Sequence, residues 1–109
     1  MEARPRTIEK YLRENGSCPF DEWFECLRDP KGRVQIDSRL TRVRKGLLGD
    51  CKDVGEGVIE LIFKNTGPGY RVYIGQDGLT VVILLGGGTK RTQQTDIERA
   101  RECWRDYKE

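Results

Sequence analysis

The sequence predicts an α+β fold: one domain over residues 1–109, with two N-terminal helices packed on a small, mainly antiparallel sheet and a further helix closing the chain. Three observations predict it. Apolar residues recur at helical spacing between Phe20 and Leu47, alternate strictly between Ile59 and Ile74, and return to helical spacing after Thr95. The expected element order is β-α-α-β-β-β-α, and a chain of 109 residues is enough for one packed core but not for two.

Thr7–Arg13 is the least determined element. Ile8, Lys10 and Leu12 alternate, while Ile8, Tyr11 and Leu12 also fit a helical stripe; we read it as a strand. After the turn at Glu14–Ser17, Pro19 suits the first turn of a helix, where its missing N–H costs nothing, and Asp21 and Glu22 complement the positive helix end. Phe20, Trp23, Phe24 and Leu27 then form an apolar stripe. Asp29-Pro30 ends that helix, and a second is expected from about Gly32 to Leu47, with Ile36, Leu40, Val43 and Leu47 on one face.

A loop marked by Gly46, Gly49, Gly55 and Gly57 follows. Ile59, Leu61 and Phe63 share one strand face, and Tyr70, Val72 and Ile74 share one on the next strand, across a turn at Asn65-Thr66-Gly67-Pro68-Gly69. Asp77-Gly78 signals a two-residue hairpin into Thr80–Leu85. That last strand is apolar at every position, so it is expected to be covered on both faces. Thr95-Asp96-Ile97-Glu98 fits a capping box opening a C-terminal helix whose Ile97, Ala100, Trp104 and Tyr107 form its docking face.

Composition removes several chemistries. There is no histidine, which excludes Ser-His-Asp hydrolysis, Cys-His proteolysis and histidine-based RNase chemistry. Cys18, Cys26, Cys51 and Cys103 form no CxxC pair and are read as free thiols, with no metal and no small-molecule cofactor called for. No leader is discernible near Met1, and the longest apolar run, Val81–Leu85, is far too short to span a membrane, so a cytoplasmic protein is expected. The net charge of +2 conceals a local imbalance: Lys31, Arg33, Arg39, Arg42, Arg44 and Lys45 crowd the second helix against Asp37 alone. Such a face serves either solubility or contact with RNA or an acidic partner, with Arg39 and Arg42 as the candidates for RNA.

Four stretches carry a family resemblance: PFDEWFECLRD (Pro19–Asp29), VGEGVIELIF (Val54–Phe63), GPGYRVYIGQDG (Gly67–Gly78) and VVILLGGGTKRTQQTDIERA (Val81–Ala100). Together they resemble the phage-derived addiction-module killer proteins, a family of the RelE/ParE superfamily that includes HigB-like toxins. The resemblance implies the toxin half of a type II toxin–antitoxin pair. In the RelE-like branch such a toxin enters the ribosomal A site and cuts mRNA without a metal, the 2′-hydroxyl attacking the adjacent phosphate. It implies a cognate antitoxin, commonly a small helix-turn-helix protein. The ParE-like branch instead inhibits DNA gyrase, and a member that has lost toxicity would only bind its partner.

RNA cleavage of that kind needs a cation at the phosphorus, an acceptor for the 2′ proton and a donor for the leaving oxygen. Alternation puts Arg71 and Tyr73 on the face opposite Tyr70, Val72 and Ile74, together with Glu60, Ile62 and Lys64. Lys90 and Arg91 follow the last strand, so Lys64, Arg71, Lys90 and Arg91 are expected on one concave surface. Arg71 matches the arginine of the family's GYR motif and is assigned to phosphate, with a cross-strand ion pair to Glu60 as the alternative. Lys90 and Arg91 resemble the basic pair that contacts the scissile phosphate or the leaving group. Tyr73 is either a stacking platform for a base or a sheet tyrosine. The catalytic tyrosine of RelE aligns near Ile97 and a basic strand position near Glu60, so the proton acceptor is left among Lys64, Asp96 and Glu60.

Overall fold

The computed structural model describes residues 4–64 and 67–109. Its elements are β1 (Thr7–Lys10), α1 (Pro19–Glu25), α2 (Pro30–Arg44), β2 (Cys51–Asp53), β3 (Val58–Ile62), β4 (Tyr70–Asp77), β5 (Val81–Thr89) and, after a 3₁₀ turn at Lys90–Thr92, α3 (Gln93–Lys108). The strands form one mixed sheet in the order β1-β5-β4-β3-β2. All neighbours are antiparallel except β1, which runs parallel to β5 with Lys10 opposite Leu84.

The alternation of β4 and β5 builds two cores, one on each side of the sheet. Val72, Ile74, Val82 and Leu84 join Leu61, Phe63 and Tyr70 under Phe20 of α1 and Ile36, Leu40 and Val43 of α2. Tyr73, Ile83 and Leu85 face the other way, with Val58 and Tyr11, under Ile97, Ala100 and Trp104 of α3. The strand expected to be covered on both faces is therefore covered on both faces. Gly75 makes the second core possible, because a Cβ there would stand 2.5 Å from the Trp104 ring.

Helix starts follow local chemistry. Asp29 caps α2 by accepting from Gly32 N–H at 3.1 Å, and Pro30 occupies the first turn, so the helix begins two residues earlier than periodicity indicates. It ends at Arg44, leaving Leu47 outside the helix and half exposed rather than on its apolar face. For α3 the expected Thr95 capping box is absent. The helix starts at Gln93, and Thr92 donates its hydroxyl to the Asp96 carboxylate one turn on.

Strand ends differ for equally local reasons. β1 stops at Lys10 instead of Arg13; Tyr11 N–H donates to Leu84 O at 3.0 Å, and the chain then leaves the sheet. β5 continues through Gly86–Gly88 to Thr89, since pairing with β4 needs no side chain. Asp77 pairs with Val81, so the connection is Gly78-Leu79-Thr80, three residues instead of two. Strand β2, exposed throughout, went unpredicted, and of the turn expected at 65–69 the residues Asn65 and Thr66 lie outside the described ones.

Arg39, expected on an RNA-facing surface, is buried instead. Its position between Ile36 and Val43 puts it on the apolar stripe of α2, where the guanidinium lies over the Phe63 ring, 4.5 Å from its centroid. Nη1 donates to Leu48 O and Asp50 O at 3.3 Å each, and Nη2 to Ile62 O at 2.5 Å. One planar donor thus pins the loop before β2 to the end of β3. Among the described residues no helix is long and apolar enough to cross a membrane.

Two measurements check these contacts. Arg39→Ala removes the donor shared by Leu48 O, Asp50 O and Ile62 O and the cation over Phe63, and is expected to cost about 3 kcal/mol in urea unfolding; Arg39→Lys does not restore it, because a point-like ammonium cannot bridge both sides as the planar guanidinium does. Tyr11 donates to Asp106 Oδ2 at 2.5 Å, and this bond, with burial, pushes its hydroxyl up to about 12. A raised folded value stabilises the protein below pH 10 and is lost as pH climbs through 12. Tyr11→Phe should therefore narrow the fall in stability measured between those limits.

Candidate functional site

Arg71 and Glu60 form a charged pair inside the α3 side of the sheet. The Arg71 side chain is 12% exposed and that of Glu60 1%, with Nε and Oε1 3.8 Å apart. Neither of those two atoms has a hydrogen-bond partner among the described residues. The other Glu60 oxygen is fully engaged, accepting from the Tyr73 hydroxyl at 3.0 Å and from Gln93 Nε2 at 2.9 Å. Glu60 therefore ties β3, β4 and the start of α3 into one polar knot.

Tyr73 is completely buried in that knot, which removes it as a platform for a base. Burial, and then the neighbouring Glu60 carboxylate, push its hydroxyl far above the ordinary tyrosine value. It is a neutral donor at every physiological pH. The alternative reading of Tyr73, a sheet tyrosine, is the one the packing supports.

The Arg71 guanidinium leaves the knot toward the turn before β4, where Nη1 donates to Gly69 O at 3.1 Å and Tyr70 O at 3.2 Å. Lys90 reaches the same place from the other side, its N–H donating to Gly69 O at 2.9 Å. A Cβ on Gly69 would lie 3.3 Å from the Lys90 Cβ and 3.4 Å from Arg71 Nη1, so the two basic side chains flank one glycine. Arg91 adjoins them in the exposed 3₁₀ turn.

Lys64 keeps other company. It pairs with Asp50 at 3.3 Å and lines a shallow groove of 250 Å³ with Gln35, Ser38, Arg42 and Phe63, above the buried Arg39. None of Arg71, Lys90 and Arg91 lines that groove. The four cations expected on one surface are thus distributed over two places, with Arg42 joining Lys64 in the second.

Two placements have no clear signal in the sequence, although Asp96 itself is among the candidate proton acceptors. Asp96, on the first turn of α3, lies directly over Gly88, whose Cβ would overlap the carboxylate. Gly88 is the cross-strand partner of Arg71, so an acid and a base sit side by side at the same end of the sheet. Beside them opens a cleft of 580 Å³ between α1 and α3, whose lining includes Trp23, Cys26, Gly86, Gly87, Asp96 and Arg99. The Trp23 indole rests on Gly87, where any side chain would collide with it.

All four cysteines are free, and among the described residues no three His, Cys, Asp or Glu side chains gather as metal ligands would. Cys18 is buried and caps α1, its sulfur accepting from Asp21 N–H at 3.5 Å. Burial pushes the Cys103 thiol up, which leaves it a poor nucleophile.

Fold and site together define a small α+β protein with helices on both faces of a five-stranded mixed sheet and a basic, partly buried cluster at one end. A protein of Haemophilus influenzae, described as an uncharacterized protein, is 40% identical over 82 residues, which span 75% of this chain and 82% of that one. The chain belongs to the family of that Haemophilus protein. No family model and no solved structure matches it.

The close approach at Gly88 is directly testable. Gly88→Ala forces Asp96 away and is expected to cost about 1–3 kcal/mol in a thermal unfolding experiment, the usual cost of overpacking. Asp96→Ala in the same chain should recover most of that loss.

Proposed function

We propose that the chain is a RelE/ParE-superfamily toxin of the HigB-like killer-protein kind, acting in the cytoplasm by ribosome-dependent, metal-independent cleavage of mRNA. The observation that carries this reading is the meeting of Arg71 and Lys90 at Gly69, with Asp96 one strand away on Gly88. The sequence blocks that resemble the killer proteins include every residue of that cluster. An α+β architecture with a C-terminal helix after the last strand supports the reading at the level of fold class, though the sheet has five strands where four are expected.

In the proposed reaction the 2′-oxygen forms a bond to phosphorus and the bond from phosphorus to the 5′-oxygen breaks. Arg71 and Arg91 offset the charge that builds on the phosphoryl oxygens, which a guanidinium does without giving up a proton. Lys90 protonates the departing 5′-oxygen. Asp96 is the proton acceptor we favour: Glu60 is sealed inside the protein with one oxygen doubly engaged, and Lys64 lines the other groove. Lys64 and Arg42 serve as contacts to RNA backbone away from the reaction. A small helix-turn-helix antitoxin completes the pair.

A second reading has one observation in its favour. Ile97 is buried against the sheet where RelE carries its tyrosine, so nothing at that position can move a proton. A ParE-like inhibitor of DNA gyrase, or a member that only binds its antitoxin, needs no such group.

Arg71→Ala is expected to abolish growth arrest on induction but also strips the buried Glu60 of its cation; Lys90→Ala, at an exposed position, should abolish arrest while leaving folding and antitoxin binding intact. Purified protein added to a translation extract should cut translated messages, and Asp96→Asn should slow cutting at least tenfold, a general-base contribution of ordinary size. Uncut messages together with loss of DNA supercoiling would transfer the assignment to gyrase.

A further inference from the structure

The cleft between α1 and α3 lies where the sheet loses a strand. Strand β1 pairs with β5 only as far as Leu84, and the chain turns away after Tyr11. Among the described residues no strand occupies that side of Leu85–Thr89, while β4 holds the other side to its end. An edge strand turns alternate N–H and C=O groups outward, so β5 presents unpaired backbone donors and acceptors along Gly86 and Gly87. Both glycines line the cleft, and neither carries a side chain to shield that backbone.

Trp23 supplies the second component. It is only partly buried, its indole lies close enough to Gly87 to exclude a Cβ, and it forms part of the cleft wall. It is held there by Phe20 at 6.0 Å and by Tyr70 at 6.1 Å between ring centroids, so the ring is oriented before any ligand arrives. The rim adds Arg13, already paired with Glu22 at 2.8 Å, and the exposed Arg99.

An aromatic wall beside a bare strand of backbone is the chemistry that holds a planar, hydrogen-bonding ring: stacking supplies affinity, and backbone groups read the ring's edge. A peptide strand would gain by laddering along several residues. Here the cleft of 580 Å³ takes in only Leu85, Gly86 and Gly87 of the strand, which favours a single flat group over a ladder of several residues. Gly88, next to Gly87, is the cross-strand partner of Arg71, so a base seated in the cleft carries its phosphate toward Arg71 and Lys90.

We infer that this cleft is a nucleobase site: one unpaired base of a single-stranded RNA stacks on Trp23 and hydrogen-bonds to the Gly86–Gly87 backbone edge. The inference rests on the proposed function only in taking RNA as the source of the base. Its geometry concerns Trp23 and β5, whereas the cleavage assignment concerns Arg71, Lys90 and Asp96.

Trp104 is buried, so a ligand in the cleft reports through Trp23 fluorescence. Adenosine 5′-monophosphate and a short oligoadenylate are expected to quench it saturably, and ribose 5-phosphate, which has no base, is expected not to. Trp23→Leu should remove the signal and weaken oligoadenylate binding, read by anisotropy of a labelled oligomer, roughly tenfold, within the range for loss of one stacking partner. Should Trp23→Leu fail to fold, Cys26→Phe, which adds a ring to the cleft wall from an exposed position, must block the quenching instead. Quenching without any cut message keeps the site and removes the nuclease. Cleavage with no saturable quenching, or quenching equal for ribose 5-phosphate and the nucleotide, overturns the site, as does quenching by an extended peptide and not by nucleotides.

Discussion

Everything at the basic end of this molecule depends on β5 passing bare between two helices. At Gly87 the strand has Trp23 of α1 against one face, and at Gly88 it has Asp96 of α3 against the other. A side chain at Gly87 would collide with the Trp23 ring, and one at Gly88 would displace the Asp96 carboxylate. The glycines cost backbone entropy and contribute no packing of their own. Their yield is positional: an acid, an indole and an open strand edge brought within one short stretch of backbone.

The opposite design holds one strand away. Glu60 is a carboxylate in a nearly waterless place, where an unpaired charge would be strongly unfavourable, and it is held by Tyr73, Gln93 and Arg71 together. Because Gln93 opens α3, the same knot fixes where that helix begins, and therefore where Asp96 stands. Arg71 is anchored at its Nε end by charge and reaches outward only at its tip. The role proposed for it as a phosphate ligand is compatible with its pairing with Glu60, since the buried partner orients the guanidinium.

Much of the fold was legible because it follows apolar periodicity. The alternation of Val72 and Ile74 against Tyr73, and of Val82 and Leu84 against Ile83 and Leu85, gave both faces of the central strands. The aromatic stripe at Phe20, Trp23 and Phe24 gave α1. What stayed hidden had no such period. Strand β2 is polar and exposed, and the parallel pairing of β1 with β5 joins residues far apart in the chain. Arg39 reads as a surface cation by residue type, although its spacing from Ile36 and Val43 places it on the buried stripe. Alternation puts Glu60 and Tyr73 on the face opposite the first core but does not say whether that face is open, because nothing local announces that α3 covers it. At the site, the adjacency of Arg71 and Lys90 followed from strand order, whereas the placing of Asp96 and Trp23 depended on two glycines that read as a strand end.

In the proposed reaction, the residue next to Ile97 supplies what Ile97 itself cannot. Ile97 packs inward and stabilises α3, while the preceding residue, Asp96, points at the cleft and takes a position from which a proton can be received. Catalysis by this route leaves a chemical mark that inhibition of gyrase or simple binding does not. The decisive measurement is the chemistry of RNA ends after the purified chain meets programmed ribosomes in the presence of a chelator. Attack by the 2′-hydroxyl predicts new fragments ending in a 2′,3′-cyclic phosphate, present with the unaltered chain and absent with Arg71→Ala. Intact message, or fragments ending in a 3′-hydroxyl, would contradict it.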